Sequence, residues 1–331
     1  MNIEFSKKLS ELKRKRKISE CFYHDKSECK GAIKQAHSLQ RNGRLSIIEG
    51  DVKGQKQIYT FTSFESDQDC FLKTLKPIGK AEASTFFGFC DFHDTNLFSC
   101  VEGTNKFDES DKHCFLHSYR SFAHSYHRKK EEIKLFSDKE YIKGAEYMYN
   151  QSIVNSKLAL RDLEKYKQEL DNLMENQIYD GLCYYVNILP ELFPIACSSA
   201  ISPLYTPKDR KIIPDDINGK YSTIIITILP DTDQTIIIFA YFPDDLQAEM
   251  YIDDFESLND YQFRKALSSL LISKVENTFF SPDLWRALDK KGQKILCKDL
   301  ETAITTEPSK FLWSKTNLFN SMFSDKRLRK N

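Results

Sequence analysis

Histidine is missing from the last two hundred or so residues of this chain: all 7 His, and 6 of the 9 Cys, lie in the first 127 of its 331 residues. Even scatter does not produce that division, so metal-binding chemistry is expected at the N-terminal end. Long apolar runs are also absent. The longest, Ile224–Leu229 and Ile236–Phe242, are strand-sized, which excludes a membrane-spanning helix built from about 20 apolar residues. Net charge of one sign is lacking too, with Lys+Arg and Asp+Glu both at 48, so contact with nucleic acid has to come from a local basic patch. The opening Met1–Lys8 has no apolar core of a secretory signal. The C-terminal half contains no Gly-rich phosphate loop, no Ser nucleophile elbow and no His-Glu-x-x-His pair. Disulfides are not expected, because nine Cys is an odd number and they cluster beside His; thiols and metal in a reducing cytosol fit better. The expectation is a soluble, cytoplasmic protein.

What is present begins with a basic lead-in. Residues 6–17 carry seven cations and two Leu at helical spacing, and Lys13, Arg14, Lys15, Arg16 and Lys17 are the candidate phosphate contacts. A solvated helical segment is the plainer reading of the same residues. Cys21 and Cys29 follow at a Cys-x7-Cys spacing, wider than the usual knuckle, with His24 inside the loop as a substitute ligand. Cys90 and His93 stand at Cys-x2-His, a bite that reaches one zinc from the head of a helix. The expected structural zinc site is therefore Cys21, Cys29, Cys90 and His93. Between the pairs, residues 31–38 deliver His37, and 45–48 and 57–61 read as two strands.

In this order of elements the stretch from 21 to 100 resembles a treble-clef zinc finger, specifically the ββα-metal (HNH) nuclease unit. The resemblance implies His37 as general base, Asp94 or Asn96 as the helix-borne residue holding a catalytic Mg²⁺ or Mn²⁺, and a zinc that is structural. Ala36 stands where nuclease members carry an acid, and Asp94 where they carry a His. His37 as a zinc ligand, or as a hydrogen-bonded histidine of the hairpin, is the competing reading. Over nearly its whole length the chain is also similar to a group of bacterial proteins. They share the Cys-x7-Cys, an Ala-His-Ser/Thr-x-Gln element (here 36–40), an Ala-Ser-Thr-Phe-x-Gly-Phe-Cys-x2-His-Asp element (here 83–94) and a later Tyr-Arg (Tyr119-Arg120). That likeness implies boundaries and ligands and carries no activity.

Residues 111–134 read as a His-rich helix. His113 and His117 share a face as a metal pair would, but ordinary polar residues on a helix face are the plainer reading. Arg120 and His127 fit an Arg-x6-His pattern resembling HEPN ribonucleases. Leu160, Leu163, Tyr166, Leu170 and Leu173 stripe a second long helix, to pack within the chain or in a homodimer. Residues 221–229 and 234–242 form a hairpin of central strands, and 246–275 and 281–304 are helical. Cys197, with no His in its half, reads as buried rather than nucleophilic, and the doublets Asp244-Asp245 and Asp253-Asp254 as solvated charges.

The fold expected is α+β: a zinc module with its His-rich helix over 1–130, a helical connector over 131–183, and an α+β domain over 184–331. Two functions stay open. One is a zinc-stabilised HNH-like endonuclease in phage defence or acting as a toxin; the other is a non-catalytic zinc module binding nucleic acid or a protein partner.

Overall fold

The computed structural model describes residues 11, 15–63, 73–102, 105–137, 146–214, 216, 219–306 and 308–324. After a 3-10 turn at Lys26–Glu28 come β1 (Ile33–His37), α1 (Arg44–Ile47), β2 (Gly50–Val52), β3 (Gln55–Ser63), β4 (Lys73–Ile78), β5 (Thr85–Cys90) and α2 (Asp91–Phe98). Two long helices follow, α3 (Asp111–Ser137) and α4 (Glu146–Glu175). The remainder is β6 (Cys183–Leu189), β7 (Ile195–Ile201), β8 (Ile224–Pro230), β9 (Thr235–Tyr241), α5 (Leu246–Glu256), α6 (Asp260–Ser273), β10 (Thr278–Phe280), α7 (Pro282–Ala287) and α8 (Lys290–Thr305). The α+β class is as expected, and every described strand pairing is antiparallel.

The β8–β9 hairpin forms as its two β-branched runs require, closed by Asp231 N–H donating to the Gln234 carbonyl at 2.9 Å. Its strands are apolar throughout because both faces are covered. Ile224, Ile226, Ile228, Ile237 and Phe239 face a core with Tyr251, Phe255, Leu267 and Leu271 of α5 and α6. Ile225 and Ala240 turn the other way, into a core shared with α3 and α4. That second core takes the stripe of α4: Leu163, Tyr166, Leu170 and Met174 are buried there, with Tyr166 stacked on Phe242 at 4.9 Å. The residues considered for a homodimer are thus spent inside the chain. No described helix is long and apolar enough to cross a membrane.

Several local expectations are corrected. Residues 45–48 are not a strand: 45–47 belong to α1 and Ile48 caps its C-terminus, and Arg44 reaches Asp231 at 2.9 Å and the Pro230 carbonyl at 3.2 Å. Four-residue apolar runs are ambiguous between helix and strand, and here a tertiary ion pair decides. The hairpin at this point is β2–β3, turning at Lys53 (φ 53°) and Gly54 (φ 83°), the left-handed pair of a type I′ turn. Each long C-terminal helix is broken in two by a new cap, Asn259 with Gln262 in a capping box and Asp289 on Gly292. Asp254 is not solvated: it is buried against the Arg210 guanidinium at 2.7 Å.

Sheet membership crosses the divisions placed at 130 and 183. The large sheet runs β2-β3-β10-β7-β8-β9-β6, with β4 beside β3, so three strands from the first segment are carried by β10 from the last. β1 and β5 form a separate two-stranded sheet. The chain thus leaves β1 after His37, builds β2–β4 onto the large sheet, and returns to β5.

Candidate metal centre

The wide Cys-x7-Cys loop folds back through local chemistry. Asp25 caps the 3-10 turn, accepting from Ser27 N–H at 2.7 Å, and Cys29 N–H closes it on the Lys26 carbonyl at 3.2 Å. The Lys26 ammonium bonds the carbonyls of Cys21 and Tyr23, drawing the loop over itself. Gly31 at φ +75° completes the turn where any Cβ would lie 2.9 Å from Asp91 Cβ. Main-chain bonds Glu20–Phe87 (3.1 Å) and Phe22–Gly88 (2.6 Å) lay this loop along β5. Cys90 ends β5 as the N-cap of α2, and His93 sits in the first turn.

These two pairs converge. The Nδ1 atom of His93 lies 3.2 Å from the Cys90 sulfur, 3.5 Å from Cys21 and 3.7 Å from Cys29. The four ligand atoms are all within 4.8 Å of one another. A tetrahedral zinc with Zn–S about 2.3 Å and Zn–N about 2.05 Å requires sulfur–nitrogen separations of about 3.6 Å. The set therefore can hold a metal ion such as zinc. Among the described residues it is the one such group of His, Cys, Asp and Glu. His24, weighed against Cys21, is outside it, and so is His37. Four protein ligands leave no open position, which is the form of a structural site.

The surroundings prepare this set. Burial and the neighbouring Cys21 and Cys90 sulfurs push the Cys29 thiol up to about 12, a crowding that a bound cation relieves. Burial also opposes ionisation of Cys90, but the backbone N–H groups of His93 and Lys30 aimed at its sulfur leave it below its ordinary value. Tyr23 stacks on the His93 ring at 3.9 Å and 24°, and Glu28 Oε2 stands 3.8 Å from Nε2, the place of an orienting outer carboxylate. Neither partner was legible in the sequence, since both depend on how the loop folds back.

His37 lies at the other end of the small sheet, opposite Thr85. Its Nδ1 is 3.0 Å from the Ala83 carbonyl, which can only accept, so Nδ1 carries the proton and Nε2 the basic lone pair. Burial holds this imidazole below its ordinary value; Ala83 and Asp94 act upward, Arg120 and Arg41 downward. Its strand end is locked in place: Ser38 N–H donates to Ser84 O at 2.9 Å, and Asn277, just before β10, donates to Ser38 Oγ at 3.0 Å and Ser198 O at 2.8 Å.

Asp94 points from α2 to Arg120 of α3, accepting from its guanidinium at 2.9 Å, while Glu102 accepts on the other side at 2.5 Å. Arg120 is 4% exposed and lies over the Phe98 ring at 4.3 Å. Asn96 is exposed and donates to the Phe92 carbonyl of its own helix at 2.7 Å. Ala36 brings no ligand, so the expected Mg²⁺ or Mn²⁺ donors are not gathered into a site. The Arg120 pairings were invisible at the sequence level, where Arg120 stood out only in the Tyr119-Arg120 element and by its spacing to His127. His127 itself bonds the Ile18 carbonyl at 3.0 Å, away from the Arg120 contacts. His113 meets Asp108 at 3.0 Å, and half-buried His117 neighbours the Phe107 ring.

Buried Arg120 with its two partly exposed carboxylates makes a stability prediction. Replacing Arg120 by Met leaves the partly exposed Asp94 and Glu102 carboxylates without their cation, an expected loss of about 1.5–3 kcal/mol in urea unfolding. A loss below about 1 kcal/mol contradicts the role given to the triad.

Of the basic arm, Lys13 and Arg14 lie outside the described residues. Lys15 pairs with Glu11 at 3.5 Å, Arg16 is half-buried in the field of Arg128, Glu131 and Glu132, and Lys17 Nζ sits 5.4 Å over Phe87. The arm thus lies against α3 and β5, and only part of its charge faces solvent. Cys197 is fully buried and its thiol raised by that burial, as expected of a packing residue.

Comparison with known proteins found no matching family model, no matching curated protein and no matching solved structure.

Burial lowers His37, His93, His124 and His127 together. They are neutral in the fold, so below about pH 6.5 the unfolded chain takes up protons that the folded chain refuses. Stability is therefore level above that pH and falls as pH drops from it towards the folded values, by up to about 1.4 kcal/mol per pH unit for each group. His124 is buried edge-on to Phe86 with its Nε2 unbonded, so His124→Leu is expected to flatten the slope measured by urea unfolding at pH 7.5, 6.5 and 5.5. An unchanged slope counts against this assignment.

Proposed function

We propose that the protein is a zinc-stabilised nuclease acting on nucleic acid, with His37 as its general base. The observation carrying this reading is the His37–Ala83 bond, which fixes the tautomer whose Nε2 accepts a proton, on a strand that the metal centre braces. A neutral imidazole near pH 7 is the usual agent for removing a proton from attacking water. The ligand order, two from the loop before β1 and two at the head of α2, supports the likeness to a ββα unit. Asp94 and Arg120 reach His37 through their charges and set the field around it. No step is assigned to a divalent ion, because Asp94 is held by Arg120 and Asn96 by Phe92.

The same pairing of Asp94 favours a second reading, a zinc module that binds without cutting. The two separate in one assay: single- and double-stranded DNA and RNA with Mg²⁺, Mn²⁺ or EDTA, comparing wild type with His37→Ala. Cleavage lost in the variant supports the nuclease. Cleavage retained by His37→Ala overturns it. Binding without turnover, weakening steeply with salt through Lys15, Arg16 and Lys17, points to the second reading.

A further inference from the structure

The C-terminal end of α6 carries a small pocket far along the chain from the metal centre. It has a volume of about 30 Å³ and is lined mainly by apolar groups, among them Tyr205, Leu270 and Phe311. Among the described residues its charged lining consists of Lys274 and Lys310. At about 10–15 Å³ for each water, the enclosed part holds two or three atoms of water size, the dimensions of a carboxylate head group rather than of a nucleotide.

Lys274 is the unusual member. It is half-buried, and no described residue forms an ion pair or hydrogen bond with its ammonium. The Lys274 backbone N–H caps the Leu270 carbonyl, and among the described pocket-lining groups the countercharge is the partial negative end of α6, about half a unit. A cation taken from water without a partner is costly, and chains avoid it unless an anion completes the site. Desolvation accordingly holds this ammonium below its ordinary value. By contrast, the buried cations Arg44 and Arg120 and the half-buried Arg264 each pair with a carboxylate.

We propose that this pocket binds a small carboxylate bearing an apolar body, the head group held by Lys274 and the body lying against Tyr205, Leu270 and Phe311. Phosphate matches the charge but leaves the apolar lining without a partner. The assignment is independent of the nuclease reading.

Isothermal titration at constant ionic strength tests it on the full chain, using sodium butyrate, the uncharged isostere butyramide and inorganic phosphate. One butyrate per chain is expected, with butyramide and phosphate each at least tenfold weaker. Lys274→Met is expected to weaken butyrate at least tenfold while zinc content stays unchanged. Removing an unpaired, desolvated charge does not endanger the fold, and the melting temperature is expected to hold or rise. Butyramide equal to butyrate would reduce the pocket to an apolar crevice and overturn the proposal. Phosphate equal to butyrate removes the apolar body from it, and butyrate affinity retained in Lys274→Met removes the recognition residue; either result overturns it.

Discussion

Cys90→Ser is expected to come off purification with less than about a tenth of a zinc per chain, against about one for wild type, as a closed four-ligand site holds. Serine offers no thiolate, and the loss reaches further than one ligand. Cys90 is the residue where β5 ends and α2 begins, and its sulfur accepts N–H groups from His93 and Lys30, while its own N–H, which donates to Cys21 at 3.4 Å, is kept in the serine variant. Without the metal, the Cys21–Cys29 loop is held over β5 by its main-chain bonds alone. Structural zinc contributes about 10–16 kcal/mol in isolated fingers, as much as the whole stability of a typical domain. Here Phe22, Phe89 and Phe98 pack between the loop and α3 whether or not metal is bound, so part of that is retained. A loss of several kcal/mol lowers the melting temperature by about 10 °C or more at roughly 2–4 °C per kcal/mol. Atomic emission and thermal melting read both effects. One zinc per chain with unchanged melting in Cys90→Ser sinks the site.

His37→Ala should have the opposite pattern. Cleavage is expected to fall by about 10²–10⁴, the usual contribution of a general base. Zinc content is expected to stay at wild-type level, since His37 is outside the ligand set. The structural cost is small as well: the variant gives up one bond to the Ala83 carbonyl, a net contribution of about 1 kcal/mol. The strand end remains held through Ser38, Ser84 and Asn277. Activity lost together with zinc would mean that His37 acts through the fold and not on the reaction. The two variants form a crossed pair, one removing metal and the other chemistry.

The parts that the sequence made legible are those whose determinants are close together. Cys90 and His93 need only one turn of helix, the β8–β9 hairpin only four residues of turn, and the Ser281-Pro282-Asp283 start of α7 only its own backbone. Cys21 and Cys29 could be matched to them because His and Cys are confined to one end of the chain. What stayed hidden depends on long-range meetings. β1 takes β5 as partner and not the nearer strand at 57–61, because the latter goes to β10. Asp94 looked like a metal ligand from its place after His93; the arginine that claims it is 26 residues away on another helix. Lys274, an unremarkable lysine at the end of a helix in sequence, is distinguished by the missing partner and not by any neighbour in the chain.

The excursion between β1 and β5 has a consequence for synthesis. Thr60 of β3 waits for Thr278, whose carbonyl it meets at 2.9 Å, through 218 further residues. At roughly 5–20 residues per second, a ribosome takes about 10–40 s to supply that partner. For most of this interval, once synthesis passes Phe98, the metal-ligand loop, β5 and α2 are available, while β3 has an open edge on the side meant for β10. An unpaired edge is a template for another chain. The one charge in β3, Lys56, stands opposite Asp51 of β2, so Tyr59 and Thr60 keep an uncharged edge until β10 arrives.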